Sequence, residues 1–216
     1  LAANTAGVYY TLLRVASRFD QFTRDVGASY REDLASGDAL LAGFNGSPIT
    51  EQKNRLLSRH DTVSGGRQSY LWVTYDVAAP ANAATQNVFA FPLLRDTGSV
   101  QAVYNFQASE AIWGLPNGLQ GYALFDATGQ RLNAAAQNIV TDNRSPITSE
   151  IKTAVSCHRC HEGGLLVAKD QVRDHVLTNA SEFLRDDVER VSLLYAPANS
   201  LSATFTRDQA AFARSL

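Results

Sequence analysis

The pentapeptide CHRCH, from Cys157 to His161, holds both cysteines of the chain and two of its four histidines. On a helix, Cys157, Cys160 and His161 stand at positions i, i+3 and i+4 and share one face. Two thiols followed by an imidazole are the signature of covalent haem attachment, in which the thiols bond the porphyrin edge and the imidazole binds iron. We therefore expect one haem c, with thioether bonds at Cys157 and Cys160 and His161 as the proximal iron ligand. Such a chain must fold around an apolar cavity large enough for a flat ring.

Three other interpretations of the motif remain open. A structural zinc site needs four ligands, which both cysteines, His158 or His161, and a distant histidine would supply, although no second paired motif exists. A redox-active C-x-x-C disulfide usually stands at a helix start after a strand, whereas here we expect the motif late in a helix. The third interpretation is a chance pairing of inert cysteines.

Aromatic residues in the middle of the chain are candidates for the wall of a haem pocket, although filling the core of a sheet is an equally good role for each. These candidates are Trp72, Tyr75, Phe89, Phe91, Trp113, Tyr122 and Phe125.

Length and charge limit the remaining classes. The 216 residues suffice for one domain with a sizeable core. A formal net charge of −2 gives no electrostatic case for nucleic acid or an anionic membrane surface. No apolar run approaches the ~20 residues that span a bilayer. The first residues, LAANTAGVYYTLL, lack a signal-peptide pattern, so we expect a mature form or a single domain, 1–216, excised from a larger secreted protein.

The hydrophobic periodicity predicts an α+β fold. Residues 6–60 carry apolar residues at helical spacing and read as helices, with EQKNRLLSRH as a short one. Alternation predicts strands in SYLWVTYDV, QNVFAFPLL and SVQAVYNF, and two more on either side of the PNG turn. We expect an antiparallel sheet of four to five strands.

The last third of the chain reads as helical again. Ser145 is a plausible N-cap with Pro146 at the first helical position. The helix that they open is expected to carry the CHRCH motif and to stop at Gly163-Gly164. Three further segments are predicted as C-terminal helices: KDQVRDHVLTNASEFL, DDVERVSLLY and TRDQAAFARSL.

Several stretches resemble a known family when they are taken together. AGFNGSPITEQKNRLLSRHDT, SYLWVTYDV, QNVFAFPL, LPNGLQGYALFDATGQRL, AVSCHRCHEGGLL and DQVRDHV occur in this order. The pattern resembles mono-haem c-type cytochrome domains in secreted or envelope proteins of planctomycetes and other Gram-negative bacteria. It is also similar to cytochrome modules attached to polysaccharide-degrading proteins of marine bacteria, proposed to pass electrons to oxidative enzymes.

The resemblance, which covers roughly residues 7–195, implies roles for several residues. It repeats the haem assignment of the motif and matches Asn54, Arg55 and His60 to a shared N-R-x-x-x-R/E-R-H stretch. Asn117, Gly118 and Gly121 match a turn that we read as structural. Three arginines are candidates for charge-assisted bonds to the haem propionates: Arg55, Arg59 and Arg173. Because haem is attached outside the bacterial cytoplasm, the resemblance implies a periplasmic, cell-surface or secreted protein.

The leading functional expectation is electron transfer to a redox partner protein, which the resemblance suggests is an oxidative polysaccharide-degrading enzyme, and not catalysis. With no methionine in the chain, the sixth iron ligand is expected to be a histidine. His60 is the first choice and His175 the alternative, while His158 lies on the proximal side. The competing hypothesis is a haem enzyme, or a gas or peroxide sensor, with an open sixth position. No oligomeric state is implied.

Overall fold

The computed structural model describes residues 5–46, 54–78, 86–142 and 149–216. Its fold is α+β, as the periodicity predicted, with a sheet of six strands in place of the expected four to five. The strands are β1 (Leu40–Asn45), β2 (Asn54–Ser64), β3 (Arg67–Asp76), β4 (Ala108–Gly114), β5 (Gln120–Asp126) and β6 (Arg131–Leu132). The α-helices are α1 (Ala6–Leu12), α2 (Phe19–Asp25), α3 (Tyr30–Ser36), α4 (Val155–Cys160), α5 (Val172–Thr178), α6 (Arg185–Leu194) and α7 (Ala198–Ala213).

The six strands form an antiparallel meander in which every strand pairs with its neighbour in sequence. The longest pairing joins β2 to β3, from Arg55↔Asp76 to Ser64↔Arg67. Gly65 and Gly66 connect these strands with φ values of +57° and +75°. Two successive positive φ angles suit the twist of a tight hairpin and favour glycine. The core of the protein therefore lies on both faces of one continuous sheet.

Strand alternation sorts the side chains of β2 onto opposite faces. Arg55, Leu57 and Arg59 point to one face, which we call the motif face because α4 lies there. The other face, which we call the far face, carries Leu56, Ser58 and His60. Helix α3 lies against the far face, where Asp33 contacts His60. Helix α5 lies there too, because the Val172 side chain occupies the space that a Cβ on Gly43 would need. Because Gly43 pairs with Leu56, both belong to the far face.

The structure corrects the sequence prediction at several elements. EQKNRLLSRH, expected as a helix, contributes its described residues 54–60 to strand β2, and DALLAGF contributes to β1. QNVFAFPLL and SVQAVYNF, expected as strands, consist of turns and irregular backbone, and an isolated bridge between Leu93 and Val103 joins them. A short 3-10 helix, Arg95–Thr97, lies between them. Strand β3 and the β4–β5 hairpin confirm the prediction. Among the described residues, no helix combines the length and apolar character that a membrane crossing requires.

The helix that carries CHRCH is also shorter than expected. It begins at Val155, because Ala154 has a φ of +70°, outside the helical region. Ser145 and Pro146, expected as its N-cap and first residue, lie outside the described residues. Cys157 therefore stands in the first turn, and His161 is the C-cap residue, directly after the last helical residue. A backbone held in that unusual region stores ~1–3 kcal/mol of strain, a feature that clusters at functional sites.

Candidate functional site

A large apolar cavity lies between the motif face of the sheet and the segment from α4 to the start of α5. Its volume is about 590 Å³, within the range of ~300–1,000 Å³ that small-molecule and cofactor sites occupy. Cys157, Cys160 and His161 all lie on its wall. The sheet supplies most of the apolar floor of the cavity: Leu57, Trp72, Ile112 and Leu124. The residues that follow the motif form its rim: Leu165, Leu166 and Val167.

The imidazole of His161 is fixed by its neighbours. Its Nδ1 lies 3.0 Å from the carbonyl oxygen of Gly164. Because a carbonyl only accepts, Nδ1 carries the proton and donates, which leaves the lone pair of Nε2 for a metal. The ring also stacks on Tyr122, with centroids 5.7 Å apart and an interplanar angle of 30°. His161 is therefore buried, oriented and in the tautomer that an iron ligand needs.

The environment of Cys157 differs from that of a redox-active thiol. Cys157 is only 2% exposed, and burial, assisted by the nearby negative charge of Glu110, raises the pKa of its thiol well above the ordinary value. Reactive cysteines of C-x-x-C oxidoreductases have lowered pKa values and partial exposure. Although the motif stands at a helix start after all, the burial of Cys157 differs from the partial exposure of such a reactive thiol. Cys160 is half-buried beside the same cavity.

A polar cluster interrupts the apolar floor opposite the motif. The Nε and Nη2 atoms of Arg55 donate to the two carboxylate oxygens of Asp76 at 2.6 and 2.7 Å. Glu110 Oε2 lies 3.9 Å from Arg55 Nη2. The buried hydroxyl of Thr74, which pairs with Glu110 across β3 and β4, has no hydrogen-bond partner among the described residues. A buried donor without a partner costs ~1–3 kcal/mol, so Thr74 is a candidate contact for a ligand in the cavity.

The structure does not bring His60 to the motif, which corrects the expectation that it supplies the sixth iron ligand. Its ring lies on the far face and is completely buried. Nδ1 lies 2.9 Å from Asp33 Oδ2, and Nε2 lies 3.0 Å from Ser58 Oγ. Both ring nitrogens are thus occupied by partners on the far side of the sheet. The Asp–His–Ser order is that of a hydrolase triad, but Ser58 is fully buried, so the arrangement is structural.

His175 and Arg173 lie with α5 on the same far face. The His175 ring packs edge-on against Phe89 at 5.2 Å between centroids, and neither residue lines the cavity. The alternative distal ligand and one of the three propionate candidates are therefore also separated from the motif by the sheet. His158 is exposed on α4, where its ring packs edge-on against Tyr122.

The other two arginine candidates, Arg55 and Arg59, have different surroundings. Arg55 lines the motif cavity, so its predicted contact with a haem propionate stays a prediction. Arg59 instead bonds Asp208 on α7, with Nε 3.1 Å from Oδ2, and Asp61, with Nη1 2.6 Å from Oδ1. Of the aromatic candidates, Trp72 and Phe125 line the motif cavity. Sequence reasoning missed Thr74, Asp76 and Glu110, although polar residues at the alternate positions of apolar strands are the signal that marks them.

The described residues contain no group of three or more His, Cys, Asp or Glu side chains arranged to hold a metal ion, so they offer no ready set for structural zinc. Comparison with protein-family models, with curated proteins and with solved structures finds no match. The assignment therefore depends on the geometry of the site. A buried, oriented imidazole and two cysteines on the wall of one large apolar cavity fit a covalently bound haem.

Proposed function

We propose that this chain is a mono-haem c-type domain that binds its haem through Cys157, Cys160 and His161. The observation that carries the proposal is the position of all three side chains on the wall of one apolar cavity of about 590 Å³. When bound, the haem supplies a one-electron redox centre with Lewis-acid character. The same chemistry implies a periplasmic, cell-surface or secreted location, where haem attachment takes place.

The positions of the histidines favour an open sixth coordination site. The chain has four histidines and no methionine. His161 is the proximal ligand, His158 is a neighbour on the same short helix, and the remaining two lie on the far face of the sheet. Neither of the strong sixth ligands that cytochromes use thus approaches the cavity. Between the two hypotheses drawn from the sequence, we favour a haem enzyme, or a gas or peroxide sensor, over bis-histidine electron transfer.

The chain's own residues prepare the cavity for a small polar ligand. Gly164 holds the proton on Nδ1 of His161, which would leave the lone pair of Nε2 for the haem iron. The sheet supplies apolar walls that limit the access of water and strengthen each polar contact. The Thr74 hydroxyl and the Glu110 carboxylate offer a hydrogen bond to a ligand, and Arg55 holds Glu110 and Asp76 in position through ionic contacts.

Electron transfer remains a second candidate because of one surface feature. Leu166 and Val167, on the rim of the cavity, are 55% and 68% exposed. Exposed apolar side chains beside a redox cofactor suit the small contact areas of transient electron-transfer complexes. On this hypothesis the partner is an external redox protein, for which a secreted oxidative polysaccharide-degrading enzyme is the proposal that the sequence resemblance supports.

Optical and EPR spectra of the protein, produced with a haem c maturation system, test both parts of the proposal. Extraction with acid and organic solvent should leave haem on the polypeptide, and the Cys157→Ala/Cys160→Ala variant should release it. Haem that leaves the wild-type chain would disprove the cofactor assignment. A high-spin ferric spectrum supports the open sixth position, and a low-spin spectrum would restore the electron-transfer hypothesis.

A further inference from the structure

A second cavity, of about 540 Å³, lies at the end of the sheet that carries the β2–β3 and β4–β5 hairpins. It is distinct from the motif cavity, and four arginines line it: Arg59, Arg67, Arg207 and Arg214. They come from β2, β3, α7 and the C-cap residue of α7, so the fold brings together cations that are far apart in sequence. For a chain with a formal net charge of −2, this is a strong local concentration of positive charge.

The carboxylates near this cavity do not neutralise it. Asp208 is the acidic residue of its lining. Both Asp208 oxygens already accept: Oδ2 from Arg59 Nε and from Trp72 Nε1, and Oδ1 from Arg207 Nε. Asp61 accepts from the remaining edge of Arg59. Four arginines therefore face two carboxylates, which leaves an excess of two positive charges.

Arg67 and Arg214 carry this excess. Both side chains are exposed at the cavity, and neither has an ion pair or side-chain hydrogen bond with any residue in the described ranges. The rest of the polar lining consists of hydroxyls and amides, of which the Ser64 hydroxyl and the Asn117 side-chain amide can donate to a ligand. Guanidinium groups with free N–H bonds recognise oxyanions by paired, charge-assisted hydrogen bonds.

We propose that this second cavity binds a small organic oxyanion of about two negative charges, of the phosphate-ester or sulfate-ester class. The volume exceeds what a bare phosphate fills and falls in the range of ~300–1,000 Å³ that holds small organic ligands. Arg67 and Arg214 are the direct contacts. Asp208 holds Arg59 and Arg207 in position, and the positive charges of these two arginines add to the electrostatic attraction of the anion. The proposal is independent of the haem assignment, because none of its residues belongs to the motif.

Isothermal titration of the full chain with glucose 6-phosphate, glucose 6-sulfate and glucose tests the proposal and separates the two ester sources. Both esters should bind and glucose should not, with the phosphate ester tighter because its charge at pH 7 approaches −2. The Arg67→Ala/Arg214→Ala variant should bind glucose 6-phosphate at least ~10-fold more weakly, since each guanidinium contributes charge-assisted bonds. Both residues are exposed, so this variant is expected to keep the wild-type melting temperature.

A matched control removes the same charge elsewhere. Arg24 and Arg185 are exposed and lie outside the cavity, so the Arg24→Ala/Arg185→Ala variant should keep the wild-type affinity within about twofold, as screening weakens distant surface charges. Equal losses in the two double variants would overturn the proposal in favour of non-specific attraction. Absence of binding by both esters at millimolar concentration, or wild-type affinity in Arg67→Ala/Arg214→Ala, would overturn it directly.

Discussion

The indole Nε1 of Trp72 donates a hydrogen bond to Asp208 Oδ2 at 2.9 Å, and this bond connects the two cavities of the protein. Trp72 forms part of the wall of the motif cavity, and Asp208 forms part of the wall of the arginine-lined cavity. The indole also stacks on Phe205, with ring centroids 4.3 Å apart and an interplanar angle of 17°. Helix α7 therefore lines both cavities, with Phe205 at the motif cavity and Asp208, about one turn later, at the arginine-lined cavity.

Replacement of Trp72 by Phe should keep much of the stack and remove the donor. We expect the free energy of unfolding to fall by about 1–3 kcal/mol, through the lost hydrogen bond and the smaller ring. Urea unfolding followed by circular dichroism measures the change. Phe205→Leu, which keeps the donor and removes the stack, is the comparison. Wild-type stability in Trp72→Phe would show that the bond to Asp208 contributes nothing.

Alanine variants of His60 and His161 should separate a structural histidine from an iron ligand. His161→Ala should change the spectrum of the haem protein. His60→Ala should leave that spectrum unchanged and lower the free energy of unfolding by about 2–4 kcal/mol, because a buried cavity forms and Asp33 and Ser58 lose their partner. A loss of low-spin signal in His60→Ala would contradict the placement of this ring on the far face.

Glu110 should influence the electrochemistry of the site. Its carboxylate lines the cavity beside Cys157, and a negative charge near iron stabilises the ferric state. Glu110→Gln is therefore expected to raise the midpoint potential, by an amount on the order of tens of millivolts for a charge several Å away. Potentiometric titration measures the change in midpoint potential, with Glu189→Gln, at an exposed position of α6, as the control. An unchanged potential would place Glu110 outside the electrostatic reach of the cofactor, and a lowered potential would contradict the predicted sign.

Gly121 on β5 should tolerate no side chain. A Cβ at this position would lie 2.4 Å from Cζ2 of Trp113, whose indole covers the glycine. Gly121→Ala is expected to lower the free energy of unfolding by about 1–3 kcal/mol through overpacking, measured by thermal or urea unfolding. Gly66→Ala is the informative comparison. A Cβ on Gly66 would meet no atom within 4 Å, but the residue has a positive φ. A loss of stability in Gly66→Ala would therefore reflect backbone strain alone.

Asp61 should contribute to stability in a defined pH range. Partial burial opposes ionisation, but the hydrogen bond and charge of Arg59 prevail and lower the pKa of Asp61 below 3.8. Because the pKa is lower in the folded chain, the contribution is present above pH ~4 and is lost as pH falls through the folded-state pKa. The difference in free energy of unfolding between wild type and Asp61→Asn should therefore be visible at pH 6 and shrink below pH 4. A difference that grows on acidification would contradict the ion pair.

The sequence predicted the fold where the pattern of apolar residues reflects a single buried face. Strand β3 and the β4–β5 hairpin were predicted because alternation and the PNG turn are local signals. The periodicity predicts a helix in place of strand β2 because the strand is buried on both faces from Arg55 to His60, which removes the alternation of apolar and polar residues. Its buried polar residues depend on partners far away in sequence, such as Asp208 for Arg59 and Asp33 for His60.

The candidate site divides in the same way. The spacing of Cys157, Cys160 and His161 predicts that they lie close together, because one short helix and its C-cap residue determine their relative positions. The distal residues could not be predicted, since which face of a strand meets the motif depends on register across the whole sheet. One shift of register would have brought His60 and not Arg59 to the motif face. The turn shows a similar limit: Gly118 is required by its φ of +86°, as expected, but Gly121 is required by the indole above it.

The burial of Cys157 has a consequence for how the protein is made. A thiol that is 2% exposed is out of reach of any maturation enzyme once the chain has folded. Gln209 on α7 holds the segment after the motif, since its Oε1 accepts from the Leu165 amide at 2.6 Å and its Nε2 donates to the Gly163 carbonyl. Helix α7 follows the motif in the chain, so it leaves the ribosome or the translocation pore after the motif. A haem joined to Cys157 must therefore be attached before α7 docks, so biogenesis would proceed in the order attachment, then closure by α7.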